Sequence, residues 1–467
     1  MSTPAPAAPN VTSAPANSRG RVIVASLIGT SVEFYDFYVY ATAAVLVFPA
    51  LFFPNSEGIY ALLSSFAVFG VAFVARPLGS ILFGHFGDRH GRKGTLVASL
   101  LTMGIATFLI GCLPTAQVPG WAFWAPALLV LMRFAQGLAL GGEWSGAALL
   151  ATENAPANKR AIYGTFPQLG APIGFIIANS LFLLLSINLT NEQFMAWGWR
   201  IPFLASAIMV IIGLWVRLKL VETPAFQKVM DKGEVTKLPL GRVFKVSWRQ
   251  LILGTFIMLA TYVLFYLMTT FTLSYGTAAR TPEEAAAKAE AAGKAFDPSA
   301  FTEGLGYARN DFLLMLIVGV VFFGIFTLVA GPLAEKFGRR KTLIAVTLGI
   351  FVFGFLWVPL FNAGFAGTMF HLILGFTLMG LTFGPMGAML PELFPTNVRY
   401  TGSAIAYNFS SILGAALAPF VAVALWQAAG GSTLLVGLYL SGAAVLTLVS
   451  LLLSKETKDM DYEGVSS

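Results

Sequence analysis

The sequence predicts an all-α membrane protein whose twelve transmembrane helices form two pseudo-symmetric six-helix halves. Three observations carry this. The 467-residue chain is 57% hydrophobic and only 11% charged, where a soluble domain carries about 25% charged residues. Its charge-free stretches are long: residues 94–132, 161–191, 250–279 and 400–454 contain no Asp, Glu, Lys or Arg. A loop motif also occurs twice, six spans apart.

About 20 apolar residues cross a bilayer as a helix, so the longest stretches hold two spans each. Backbone groups in lipid need internal partners, which a helix supplies. A membrane β-barrel is excluded, because its strands would alternate polar and apolar residues. The lone Cys112 allows no internal disulfide, and His85, His90 and His371 are scattered, so no metal site is expected. Nucleotide loops and nucleophile–base pairs of recognisable spacing are missing. The chain therefore reads as a non-enzyme without a cofactor.

The predicted spans lie near 21–50, 58–86, 93–114, 121–151, 160–188 and 198–220, then near 248–277, 309–335, 340–361, 366–391, 399–428 and 432–454. Residues 1–20, rich in Ala, Pro and Ser, read as a disordered tail and not a cleaved leader, since the span behind them is long and carries acids. The domains are then a tail 1–20, a first half 21–220, a linker 221–247, a second half 248–454 and a tail 455–467.

Lysine and arginine mark the cytoplasmic face. With both termini inside, 22 of the 29 basic residues fall in the tails and the loops of that side, and five on the other. The sequence pI near 9.4 is thus a matter of topology and not of nucleic-acid binding. The external loop 278–308 is unusually long. Within it Thr281, Pro282 and Glu284 have capping-box spacing ahead of an Ala-rich run, which predicts a short surface helix.

Gly84-His85-Phe86-Gly87-Asp88-Arg89-His90-Gly91-Arg92-Lys93 joins spans two and three. Gly331-Pro332-Leu333-Ala334-Glu335-Lys336-Phe337-Gly338-Arg339-Arg340 joins spans eight and nine in the same register. Glu153, Pro156, Asn158 and Arg160 are likewise repeated as Glu392, Pro395, Asn397 and Arg399. Two repeats at the same separation in spans mean a duplicated six-helix unit.

The first copy resembles the signature loop of the major facilitator superfamily, and the resemblance runs over essentially the whole chain. It implies gating roles for Gly84, Asp88, Arg89, Gly91 and Arg92, with Glu335 and Arg339 as their repeat counterparts. Asp88 is expected to latch the halves in the outward-facing state. Three further stretches look like the metabolite:proton symporter family: Glu33 to Tyr38, Ala75 to Gly79, and Arg133 to Gly137 continuing through Gly141-Gly142-Glu143-Trp144. Members carry shikimate, α-ketoglutarate, citrate, or proline and betaine. Residues 142–147 and 163–168 look most like the shikimate-transporter branch. Gly170-Ala171-Pro172-Ile173-Gly174 matches the antiporter signature imperfectly, which favours symport. The resemblance implies a bacterial plasma (inner) membrane setting and a monomer as the working unit.

Ionisable groups inside a span are costly and mark function. Glu33, Asp36 and Tyr40 share one face of span one near mid-membrane. A carboxyl in low dielectric holds its proton more tightly than in water. Asp36 is the first candidate proton carrier and Glu33 the second; a permanent salt bridge to Arg133 is the structural alternative. Arg133 can hold a carboxylate bidentately, while the resemblance favours a proton-coupling role for it. Arg76 and Glu143, placed toward the cytoplasmic ends of their spans, can pair. The candidate substrate contacts are Arg133, Tyr35, Tyr38, Gln136, Glu143, Trp144, Gln168, Tyr262, Tyr266 and Asn408, with Tyr407 alongside; the packing alternative stands for each aromatic residue.

The expected function is proton-driven import of a small organic acid, a shikimate-like monocarboxylate first. The expected partners are that acid, protons and the bilayer. The rivals are a carrier of di- or tricarboxylates or of proline and betaine, a sugar carrier or exporter of the same fold, and a non-transporting sensor.

Overall fold

A computed structural model describes residues 19–56, 58–90, 92–141, 143–153, 155–218, 244–291, 296–298, 301–395 and 398–458. Most of both predicted tails, most of the linker 221–247 and Gly91 lie outside these residues. Each predicted span is a helix: α1 Arg19–Leu46, α2 Gly58–His90, α3 Arg92–Cys112, α4 Trp124–Glu153, α5 Arg160–Asn188 and α6 Arg200–Leu218. The second half supplies α7 Trp248–Thr277, α8 Arg309–Phe337, α9 Arg339–Asn362, α10 Gly364–Glu392, α11 Arg399–Ala428 and α12 Leu434–Leu453. Among the described residues nine of these helices are long and apolar enough to cross a membrane by length and composition. The bent pair ending in α6 makes ten. The other two are α1, which carries Glu33 and Asp36, and α3, whose apolar part within the described residues is short.

The duplication reappears in the packing. In the first half α1 packs on α5 and α6, α2 on α4, and α3 on α6. In the second, α7 packs on α11 and α12, α8 on α10, and α9 on α12. The halves meet through α2 on α11 and through α5 on α8, which are equivalent pairs. Glycine permits the closest approaches. A Cβ at Gly137 would strike the backbone of Ala72, and one at Gly141 the backbone of Arg76 and Ser80. Gly380, on α10, faces the backbone of Phe323 and Thr327 on α8 in the same way. Gly141 and Gly380 stand equally far ahead of Glu153 and Glu392, so this contact is part of the repeat.

Rings from both halves fill the centre. Phe34 and Tyr38 of α1 meet Phe265 of α7, with centroids 6.1 and 5.8 Å away, and Phe265 meets Phe383 of α10 at 5.8 Å. Both α7 and α11 widen into a π-turn, at Leu267–Phe271 and Ile412–Ala416. Such turns interrupt the ladder and often mark functional sites.

The surface helix is present as Pro282–Ala291. The Glu284 amide donates to Thr281 Oγ1 (3.3 Å), and the Glu284 carboxylate accepts the Arg280 amide (2.9 Å). Beyond it the chain runs back along the end of α7. Amides of Gly304, Leu305, Gly306 and Tyr307 donate to carbonyls of Ala279, Tyr275, Ala278 and Gly276. The loop is therefore tied to the second half.

Candidate functional site

Two buried acids on α1 organise the first half. Glu33 is 2% and Asp36 1% exposed. They sit one helical turn apart, and each lies in the field of a different arginine: Glu33 in that of Arg76 on α2, Asp36 in that of Arg133 on α4. Arg133 is fully buried. It donates to Gln136 Oε1 (2.7 Å) and to the Phe69 carbonyl (3.4 Å), and Gln136 Nε2 donates to Thr107 Oγ1 (2.7 Å). Thr107 is the neighbour of the Asp36 carboxylate. Both Asp36 oxygens nonetheless lack a hydrogen bond of normal geometry.

The direct Asp36–Arg133 salt bridge expected as the alternative is therefore not formed. Thr107 and Gln136 stand between the two groups, and Tyr40, Phe37 and Phe69 take the guanidinium on their ring faces at 4.1, 4.8 and 4.9 Å. A ring face holds a cation through its quadrupole. Arg76 lies over Phe37 and Phe73 at 4.7 and 4.6 Å, and Glu143 accepts from Ser99 Oγ (3.3 Å). Arg76 lies toward the signature-loop end of the apolar stretch Ile59–Phe83, as expected. Helix α2 itself continues past that stretch to His90.

A central cavity between the halves is lined by Phe34, Arg76, Thr261, Tyr262, Phe265, Tyr266, Phe383 and Tyr407. Its volume is about 10 Å³, near the room one water needs. The site is thus collapsed, and both ends of the bundle are closed over it. At the signature-loop end, Gln168 Nε2 donates to the Phe383 carbonyl (2.9 Å). Asn408 Nδ2 donates to Ser80 Oγ and the Gly141 carbonyl (2.8 Å each). Trp144 stacks on Tyr407 at 4.0 Å while its Nε1 donates to Gln168 Oε1 (2.9 Å). At the opposite end, Arg309 Nε donates to Ser186 Oγ (2.9 Å), and its guanidinium covers the Phe194 ring at 4.4 Å. Helices of both halves meet in each of these contacts except the Trp144–Gln168 bond, so the conformation is occluded.

The sequence candidates divide accordingly. Tyr262 and Tyr266 reach the cavity; Tyr38 stands behind it against Phe265. Gln168, Trp144 and Asn408 join the halves. Tyr35 donates to the Pro202 carbonyl (2.6 Å), away from the cavity. Arg133 and Gln136 form the network behind the aromatic wall. Thr261, Phe34, Phe265 and Phe383 were not singled out, since an apolar or hydroxyl residue in an apolar span carries no distinguishing signal. Among the gating candidates, Arg339 makes ion pairs with Glu335 (3.1 Å) and Glu392 (3.3 Å). Glu335 Oε1 also accepts the Ala161 amide of the other half (2.6 Å). Helix α2 ends at His90 and α3 starts at Arg92, but the side chains of Gly84, Asp88, Arg89 and Arg92, and Gly91 altogether, lie outside the described residues.

Comparison with known proteins adds the rest. The family described as "Sugar (and other) transporter" matches residues 21–251 and 298–467. The chain is 55% identical over 446 residues to the inner membrane metabolite transport protein YhjE of Escherichia coli (strain K12), covering 95% of this chain and 96% of that protein. It is 34% identical over 449 residues to the shikimate transporter of the same organism, covering 94% and 95%. A crystal structure of a D-xylose-proton symporter superposes with a TM-score of 0.67 at 17% identity, over 94% of this chain and 99% of that one, a likeness of fold.

Proposed function

We propose a function on one premise: the chain belongs to the sugar (and other) transporter family of the major facilitator superfamily. It is a multi-pass membrane transporter and not an enzyme. Our reading is that it imports a small organic acid with a proton across the inner membrane, a shikimate-like monocarboxylate first. The halves rock about the central cavity, with both termini in the cytoplasm.

The observation that carries this reading is the matched set of buried charges. Two acids on one face of α1 each lie in the field of a buried arginine, and among the described residues Asp36 forms no salt bridge with Arg133. A locked ion pair would be inert. An unlocked acid beside an arginine can change its protonation as the helices shift. Asp36 takes the coupling proton in this scheme, and Gln136 and Thr107 hold Arg133 beside it. Glu335, Arg339 and Asp88 act in the gates.

The test uses purified full-length protein in proteoliposomes. Radiolabelled shikimate and 2-oxoglutarate are offered with an imposed inward proton gradient, and again with the gradient collapsed by an uncoupler. Accumulation above equilibrium that the uncoupler abolishes supports the reading. Uptake of an acid that stops at equilibrium under both conditions removes the proton from it, and uptake of sugars alone removes the acid.

A further inference from the structure

Of the two buried arginines of the first half, only one borders the space between the halves. Arg76 lines the central cavity. Arg133 does not: the rings of Phe37, Tyr40 and Phe69 surround its guanidinium, and its terminal nitrogens are engaged by Gln136 and the Phe69 carbonyl.

Charge points the same way. Arg76 is 4% exposed and lies in the field of Glu33 and beside Tyr407, while its Nε has no hydrogen-bond partner. A guanidinium held in low dielectric favours an anion within reach. Arg76 is the one basic residue among the described lining, so positive charge faces the cavity on the side of α2.

The facing wall is of a different kind. Helices α7 and α11 bring Tyr262, Tyr266 and Tyr407 to the cavity, and the buried Tyr262 hydroxyl, beside that of Tyr407, lacks a hydrogen bond of normal geometry. Apolar ring faces of Phe265 and Phe383 complete it. No basic residue lies in the middle of a span in the second half.

We infer that Arg76, and not Arg133, receives the carboxylate of the transported acid, while Tyr262, Tyr266 and Tyr407 receive the hydroxyl groups on its far side. The substrate class is then a small monocarboxylate with a hydroxylated ring. One cation suits one carboxylate, aligned hydroxyls suit hydroxyls, and phenyl faces suit a ring edge. Binding ties α2 of one half to α7 and α11 of the other, so the substrate itself draws the halves together. Arg133 becomes a positioning residue for the proton on Asp36. This inference rests on the reading that the protein carries small organic acids.

The experiment measures binding of shikimate, quinate and their methyl esters to purified full-length protein by titration calorimetry. Wild type should bind at least one acid and discriminate against its ester. Arg76→Lys keeps the charge and loses the planar fork, and should weaken acid binding about tenfold or more. Arg133→Lys should keep the affinity and the preference for acid over ester, while losing uncoupler-sensitive accumulation in vesicles. Should Arg76→Lys fail to fold, Arg133→Lys still decides: a lost preference for acid over ester there returns the carboxylate to Arg133 and overturns the assignment. Unchanged affinity in a folded Arg76→Lys overturns it as well. A wild type that binds none of these acids, or binds the esters equally, strikes the organic-acid reading itself.

Discussion

The carboxylate of Glu335, at the end of α8, accepts the backbone amide of Ala161, in the first turn of α5, at 2.6 Å. The first amides of a helix lack partners within it and present a positive dipole end. Glu335 thus caps a helix of the opposite half. Arg339 holds it there through both carboxylate oxygens, at 3.2 and 3.1 Å, and also reaches Glu392. This latch can exist only while the signature-loop end is closed.

Glu335→Gln keeps an acceptor for Ala161 and removes the charge that Arg339 grips. Losing a charge-assisted hydrogen bond costs about 1.5–3 kcal/mol, so the closed-to-open ratio should fall by roughly tenfold or more. Spin labels on the facing ends of α5 and α8 should report a longer distance in a larger fraction of molecules. An unchanged distance distribution would show that the latch contributes nothing to closure.

The repeat places Asp88 where Glu335 stands, one half earlier, so its capping target would be the start of α11. Asp88→Asn should slow transport several-fold by shifting the balance of inward and outward states, with substrate affinity nearly unchanged. Kd and Vmax measured on the same preparation separate the two effects. A collapse of affinity alone would move Asp88 to the binding site.

Asp36→Asn preserves the shape of the side chain and removes the proton site. Uphill accumulation should disappear, while exchange of labelled for unlabelled substrate across preloaded vesicles continues. Normal accumulation by correctly inserted Asp36→Asn protein would end the role of Asp36 in coupling.

Gly137 is pressed against the backbone of Ala72, so a side chain there must separate α2 from α4. Gly137→Val should cost at least the ~1–3 kcal/mol of ordinary overpacking, seen as a Tm lowered by several degrees in detergent. The move also displaces Arg76, so binding should weaken together with stability. A Tm within a degree of wild type would mean that the two helices part freely.

Much of this molecule was legible in the sequence. Charge-free stretches, the asymmetry of basic residues and the doubled loop determined the helices, their number and the duplication, because hydropathy and repeat spacing are local properties of the chain. The charges within spans, Glu33, Asp36, Arg76 and Arg133, were equally plain, since each is an exception in an apolar run. The partners of those charges were not. Whether Asp36 meets Arg133 directly or through Thr107 and Gln136 depends on how α1, α3 and α4 rotate against one another. The same holds for which arginine borders the cavity and which is shut behind rings: helix rotation set by close backbone contacts, such as those at Gly137 and Gly141, turned Arg76 inward and enclosed Arg133. Tyr35 and Asn408 looked like ligands, yet bond to Pro202 and to Ser80 and Gly141, because a polar group in an apolar interior takes whichever partner the packing brings within reach. Composition and periodicity determined what crosses the membrane; only the contacts between helices decided which side chains face the cavity.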